Sequence, residues 1–128
     1  MSNLNLFLRT GTAIIELDRI RRAAKNPKFL AHYFSPDEIR FLVTRGMSPT
    51  IIAENYCAKI AFAKAIGTGM RIIKARDASI LRDRLGAPVM ITEDYAKMLT
   101  ERENFDYNVS VAHCKKYATA TVIINKKL

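Results

Sequence analysis

The chain has 128 residues, of which 49% are hydrophobic and 26% charged, and this is the ordinary balance of a globular protein. The length predicts one domain over residues 1–128. The chain contains no apolar run as long as the ~18 residues that a membrane span requires. Its first eight residues lack the pattern of a signal peptide. Cys57 and Cys114 show no CxxC spacing, which favours free thiols and a cytoplasmic location.

The net charge of +9 indicates an acidic partner or a merely solvated basic surface. The basic residues concentrate at positions 19–28, 71–84 and 126–127. Such a balance suits nucleic acid, anionic lipid, a phosphorylated cofactor or an acidic protein. Zinc-ligand spacing, an aromatic RNA-binding signature and a helix-turn-helix pattern are all lacking, which argues against nucleic acid.

The first half of the chain predicts a strand followed by helices. Residues 5–15 are rich in apolar and β-branched types and predict a strand, and residues 16–24 predict a short helix stopped by Asn26-Pro27. Ser35, Pro36 and Glu38 form a strong helix start, with the helix running to about Arg45. The longest helix is predicted over residues 49–66 and ends at Gly67.

The second half predicts mostly strands. Residues 72–77 are irregular, residues 79–82 and 88–91 suit two short strands, and residues 93–102 suit a helix. Residues 108–113 and 118–125 predict a β hairpin joined by residues 114–117. The fold class is therefore α+β, with three or four helices and a mostly antiparallel sheet.

Three spaced segments resemble the sequence pattern of one known family. Residues 11–20 (GTAIIELDRI) are similar to its Gly-Ile-Asp-Ile start and first helix. Residues 56–69 (YCAKIAFAKAIGTG) resemble its Phe-Ala-Ala-Lys-Glu-Ala helix with the following Gly-Thr-Gly turn. Residues 109–113 (VSVAH), followed by Tyr117-Ala118, resemble its Val-Ser-Ile-Ser-His and Tyr-Ala hairpin. The family that these segments resemble is the holo-acyl-carrier-protein synthases.

The resemblance implies the 4′-phosphopantetheinyl transferase fold, a mostly antiparallel sheet packed with a long central helix. It implies a homotrimer with active sites at the subunit interfaces, and we expect the alanine-rich helix and the β hairpin to pack across subunits. The implied reaction, part of fatty acid biosynthesis, moves phosphopantetheine from coenzyme A to a serine of apo-acyl carrier protein and releases adenosine 3′,5′-bisphosphate.

The family's binding residues can be carried onto matching positions of this chain. Those for coenzyme A are Lys64, Gly67, Thr68, Gly69 and His113, and those for docking the acidic carrier protein are Arg19, Arg22, Lys25 and Lys28. Helical spacing independently puts Tyr56, Ile60 and Lys64 on one face. A plain helix C-cap at the Gly-Thr-Gly turn, a structural histidine and a solvated basic face remain alternatives.

The pattern breaks at the family's magnesium ligands. The aspartate of the first segment is Ala13 and the glutamate of the second is Ile60, and neither side chain can ligate a hard cation. Further departures occur at Asn55, Ala87 and Ala112. We therefore predict no metal and no intact catalytic residue, although magnesium is expected for the family.

Two hypotheses follow from this pattern. The first is a binding or regulatory homologue, a possible pseudoenzyme whose transfer activity is weak or absent. The alternative is an active transferase with an atypical metal site, favoured by intact Lys59, Lys64, Gly67, Gly69 and His113. Glu16 and Glu54 are the candidate substitute ligands; Glu54 lies about 240° around the helix from Ile60, and we expect both to point elsewhere.

Overall fold

The computed structural model describes residues 7–67 and 73–127 and has an α+β architecture. The described residues form five strands: β1 (Leu8–Glu16), β2 (Ala78–Arg82), β3 (Pro88–Thr92), β4 (Phe105–His113) and β5 (Tyr117–Lys126). Five helices are α1 (Leu17–Ala23), α2 (Pro27–Tyr33), α3 (Pro36–Thr44), α4 (Pro49–Ile66) and α5 (Asp94–Glu103), with one 3₁₀ turn at Ala75–Asp77. Within these described ranges, no helix combines the length and the apolar character that crossing a membrane would need.

All strand pairs are antiparallel, as the sequence predicts. Strands β1, β5 and β4 form a three-stranded sheet in that order, and β2 pairs with β3 in a separate hairpin. In the larger sheet Ala120 lies opposite both Ala13 and Val111, while Ala118 lies opposite both Ile15 and His113. β1 and β4 are consequently the two edges of this sheet.

Helix α4 crosses the larger sheet at short distance because small residues line the contact. Its five alanines, Ala53, Ala58, Ala61, Ala63 and Ala65, are all buried. A Cβ atom added to Gly11 of β1 would lie 1.9 Å from the carbonyl oxygen of Ala61, so only glycine fits there. The expectation that the alanine-rich helix packs across subunits is therefore wrong for its alanine face, which the chain's own fold buries.

Capping residues define the helix ends. The Ser35 hydroxyl accepts from the Glu38 amide at 3.1 Å, and the Glu38 carboxylate accepts from the Ser35 amide at 3.1 Å, which confirms the predicted capping box. Helix α4 ends where predicted, at Gly67, whose φ of +93° is in the left-handed region.

The sequence prediction missed α2. Asn26 caps this helix by accepting from the Lys28 amide at 2.9 Å, and Pro27 occupies its first position. On sequence alone, Asn26-Pro27 is interpreted only as the end of α1. The same pair also begins α2, because Asn is a common N-cap residue and Pro is common at the first position of a helix.

Candidate functional site

A groove of about 390 Å³ runs between β1, α1 and α4. Its lining comprises Thr12, Ala13, Ile14, Ile15, Arg19, Tyr56, Cys57, Ile60, Lys64 and Thr119. One wall is built by Tyr56, Ile60 and Lys64, whose four-residue spacing places them on the same helical face. The opposite wall is β1, so the fold brings Ala13 and Ile60 into one groove.

Two cations give the groove a positive character. The exposed Lys64 ammonium donates to the Thr12 carbonyl at 3.1 Å, which directs the side chain along the groove toward β1. Arg19 contributes from the first turns of α1. Two positive side chains at one apolar-walled cleft attract a phosphorylated ligand.

None of the groove-lining residues in the described part of the chain is an aspartate or a glutamate. All 12 acidic residues of the sequence lie within the described ranges. The acidic residues that form ion pairs in this part of the chain are Asp18 with Arg21, Asp37 with Arg40, Glu38 with Lys59, Glu54 with His113 and Arg82, and Glu103 with Arg102 and Lys126. Magnesium requires oxygen ligands, commonly one or two carboxylates, and this lining does not fit it.

Glu16 and Asp18 do not supply the missing oxygen ligands. Glu16 is the exposed last residue of β1, and Asp18 is exposed on α1 with its carboxylate on Arg21. Neither lines the groove.

Cys57 is a buried part of the groove wall. Its Sγ donates to the Ala118 carbonyl at 3.5 Å, and burial raises the pKa of the thiol to about 11. The sulfur is therefore protonated at neutral pH and is not a nucleophile.

His113 lies away from this groove, at the end of β4 on the opposite edge of the sheet from β1. Its Nδ1 is 3.2 Å from a carboxylate oxygen of Glu54, and its side chain is 54% exposed. A single chain thus does not bring His113 and Lys64 into one groove.

The remaining predicted site residues are distributed around α1 and α2. Arg22, Lys25 and Lys28 are exposed and lie outside the groove lining, whereas Arg19 is part of it. Thr68 and Gly69 lie outside the described residues.

A second cleft of about 380 Å³ adjoins the first, and sequence reasoning did not identify it. Tyr56 and Ile60 belong to both clefts, and the second is completed by His32, Tyr33, Lys74, Ala75 and Arg76. The rings of Tyr33 and Tyr56 are 5.2 Å apart. The only sequence signal was the aromatic spacing of Phe29 and Tyr33, which falls in the helix that was missed.

Lys59, offered by the sequence as an intact functional residue, is completely buried instead. Its ammonium donates to Glu38 and to the carbonyls of Ala75 and Ala78 at 2.8 and 2.7 Å. It therefore connects α4 to α3 and β2 and cannot contact a ligand in the groove.

These features define a small α+β domain with a cationic groove between its first strand and its central helix. A family model described as the 4′-phosphopantetheinyl transferase superfamily matches residues 10–122. The chain belongs to this family.

Similar proteins extend over nearly the whole chain. It is 35% identical to a holo-[acyl-carrier-protein] synthase of Clostridium botulinum, over 89% of this chain and 94% of that protein. It is 36% identical to one of Fusobacterium nucleatum, over 93% of this chain and 99% of the other.

Solved structures agree with the fold. The synthase from Neisseria meningitidis gives a TM-score of 0.84 at 28% identity, covering 93% of this chain and 98% of that one. The Bacillus anthracis synthase, described as a complex with CoA (3′,5′-ADP), gives a TM-score of 0.79 at 26% identity, covering 95% and 99%. The Helicobacter pylori synthase in complex with coenzyme A gives a TM-score of 0.79 at 26% identity, covering 90% and 98%.

Proposed function

We propose that this chain is a holo-acyl-carrier-protein synthase homologue that binds coenzyme A and an acidic carrier protein but transfers phosphopantetheine weakly or not at all. The observation that carries the proposal is the groove where Ala13 faces Ile60, with two cations and no carboxylate in its described lining. The family's metal would be held at these two positions.

The effect of a missing magnesium ion on the transfer rate can be given as an order of magnitude. A bound magnesium ion would neutralise charge on the phosphate under attack and orient the reacting oxygens. Removing such electrostatic stabilisation costs several kcal/mol, or about three orders of magnitude in rate. Lys64 and Arg19 supply positive charge for binding, but a binding charge that acts equally on ground and transition states does not raise the turnover number.

Coenzyme A is supported as the ligand by charge and by the relatives. The groove presents a flexible ammonium, Lys64, two residues after the buried Phe62 and one turn before the left-handed Gly67. Two solved synthases of the same fold, from Bacillus anthracis and Helicobacter pylori, are described as complexes with coenzyme A. A phosphorylated ligand satisfies the two cations without any metal.

A trimer would complete the site. His113 is on the far edge of the sheet from Ala13, and the family's arrangement has active sites between subunits. In such an assembly, His113 of one subunit would complete the groove of a neighbour. This explains why a histidine expected beside the coenzyme does not line the groove of its own chain.

The alternative, an active transferase with an atypical metal site, loses one of its supports and one of its candidate ligands. Lys59 is a buried structural residue, and the carboxylate of Glu54 already pairs with His113 and Arg82. Lys64, Gly67 and His113 remain compatible with binding alone.

The proposal is tested by calorimetric titration of coenzyme A and of 3′,5′-ADP, in magnesium and in EDTA. For each ligand, we expect the dissociation constant in magnesium and the dissociation constant in EDTA to agree within about twofold, since no metal takes part. Lys64→Met should weaken binding about tenfold, the value of one charged phosphate contact. Lys97→Met, which removes an exposed lysine on α5, is the matched control and should change nothing. Binding that disappears in EDTA would contradict the proposal.

A further inference from the structure

A polar network that the groove does not use lies around Glu54. One carboxylate oxygen of Glu54 is 3.2 Å from Nδ1 of His113, and the other is 3.8 Å from Nη2 of Arg82. The side chains of Glu54 and Arg82 are only 10% and 9% exposed, whereas that of His113 is 54% exposed. A buried ion pair therefore ends at a solvent-accessible imidazole.

Arg82 is held rigidly by groups on three sides. Its Nη1 donates to Asn55 Oδ1 at 3.0 Å and to the Leu81 carbonyl at 3.2 Å. The Asn55 amide in turn donates to the Ile80 carbonyl at 2.9 Å, and the guanidinium lies 5.5 Å from the centre of the Phe41 ring. Asn55, one of the departures from the family pattern, thus fixes a guanidinium brought from β2.

The carboxylate determines which nitrogen of His113 carries the proton. An ionised carboxylate only accepts hydrogen bonds, so a neutral imidazole bonded to it through Nδ1 carries its proton there. Nε2 then has a free lone pair, and in the imidazolium form its N–H can donate to a phosphate oxygen. Asp in a hydrolase triad orients its histidine through the same relation.

A purely structural role explains this arrangement less well. Glu54 is closer to His113 than to Arg82, and Nη2 of Arg82 makes no hydrogen bond in the described structure. If Glu54 served only to neutralise Arg82, the hydrogen-bonded contact would be expected on the guanidinium.

We infer that Glu54, anchored by Arg82, is a positioning residue that orients His113 through an Nδ1–H hydrogen bond, so that Nε2, once protonated, donates to a phosphate group of the ligand. The identity of that ligand as a coenzyme phosphate rests on the proposed function; the tautomer does not. His113 would touch the ligand, and Glu54 would act only through it.

Long-range ¹H–¹⁵N spectroscopy of the imidazoles tests the tautomer directly in the intact protein. The chain has two histidines, so His113→Asn assigns the signals and His32 is an internal reference. When the ring is neutral, we expect wild-type His113 to carry its proton on Nδ1. Glu54→Gln, which keeps an oxygen acceptor, should largely retain this tautomer. Glu54→Ala should convert the ring to the Nε2–H form.

Glu101→Ala, on the exposed face of α5, is the matched control and should leave His113 unchanged. Since Glu54→Ala leaves Arg82 unpaired and can unfold the chain, the wild-type spectrum alone decides the inference: an Nε2–H tautomer there would overturn it. In titrations of 3′,5′-ADP, Glu54→Ala should weaken binding about fivefold to tenfold, because the ring loses the carboxylate that orients it, and Glu54→Gln should weaken binding less. Equal affinity in folded Glu54→Ala would refute positioning toward the ligand. If the wild type binds no 3′,5′-ADP while its Nδ1–H tautomer is present, the proposed function fails and the tautomer assignment stands.

Discussion

At the scale of single residues, the two cysteines have opposite surroundings. The Cys57 sulfur is buried in the groove wall, and burial raises its pKa to about 11. The Cys114 sulfur is exposed at the tip of the β4–β5 hairpin, where the amides of Lys116 and Tyr117 lower the pKa of the thiol. Thiolate is the reactive form, so exposure and pKa both favour Cys114.

Iodoacetamide at pH 7.5 should therefore modify Cys114 first and leave Cys57 unmodified until the chain unfolds. Mass spectrometry of the peptides over time measures both rates. Cys114→Ser should abolish the fast reaction, while Cys57→Ser should leave it intact. Equal modification rates at the two positions in the folded protein would contradict the burial of Cys57 in the groove wall.

Residue patterns predicted part of the site and missed the rest for a physical reason. The spacing of Tyr56, Ile60 and Lys64 depends only on the helical period, so the shared face was predictable. The contact of Glu54 with His113 joins positions 59 apart in the chain. Helix geometry showed that Glu54 faces away from Ile60, but only the paired strands β5 and β4 show what it faces instead.

At the scale of elements, the Lys59–Glu38 pair connects three of them. Lys59 on α4 bonds Glu38 on α3, and the second Glu38 oxygen accepts from the Ile80 amide of β2 at 3.1 Å. Burial raises the pKa of Glu38 and lowers that of Lys59, and the attraction between the two charges offsets part of each shift. Such a pair becomes costly when one partner is removed, because the other charge stays buried.

Lys59→Met should lower the free energy of unfolding by about 3–5 kcal/mol. Urea denaturation followed by circular dichroism measures this change. The double variant Lys59→Met/Glu38→Leu should recover part of the loss, because no buried charge remains. Lys97→Met, at an exposed position of α5, is the control, with a change within about 0.5 kcal/mol. A Lys59→Met protein as stable as the wild type would show that the pair is not a structural connection.

Local signals explain which elements the sequence could predict. Ser35 and Ser48 mark helix starts by hydrogen bonds confined to one turn, and Gly67 marks an end, so α3 and α4 are close to their predicted bounds. Strand β4 begins at Phe105, three residues before the predicted start. The pairing of Phe105 with Lys126 of β5 is what extends it, and no local pattern contains that information.

At the scale of the whole molecule, the face of the larger sheet that α4 does not cover bears exposed apolar side chains. Leu8, Ile14, Tyr117 and Ile123 are 65%, 68%, 42% and 36% exposed. An apolar sheet face of this kind suits association between subunits.

We expect light scattering in physiological salt to report about three times the 14.5 kDa subunit mass. Ile123→Lys should shift the mass toward the monomer, because it places a charge on the uncovered sheet face. Val43→Lys, at an exposed position on α3, is the control and should leave the mass unchanged. A wild-type monomer would contradict the proposal that subunits share a site, because His113 could then not reach the groove of a neighbouring subunit.

The charge of +9 also belongs to this scale, because its expected partner is a strongly acidic carrier protein. Binding of apo-acyl carrier protein should weaken sharply between low and physiological salt, and Arg19→Glu should weaken it further. Arg102→Glu on α5 is the matched charge reversal and should have a smaller effect. A random DNA duplex that binds as tightly at physiological salt would favour nucleic acid as the partner.

The central claim, a groove that binds without metal-dependent transfer, is tested most directly by mass spectrometry of apo-acyl carrier protein incubated with coenzyme A, magnesium and this protein. We predict no magnesium-dependent gain of the phosphopantetheine mass with the wild type. Ala13→Asp combined with Ile60→Glu should restore magnesium binding and some transfer, and each single variant should do less, because one carboxylate gives half the charge and no chelate. Robust magnesium-dependent conversion to the holo form by the unmodified chain would contradict the claim.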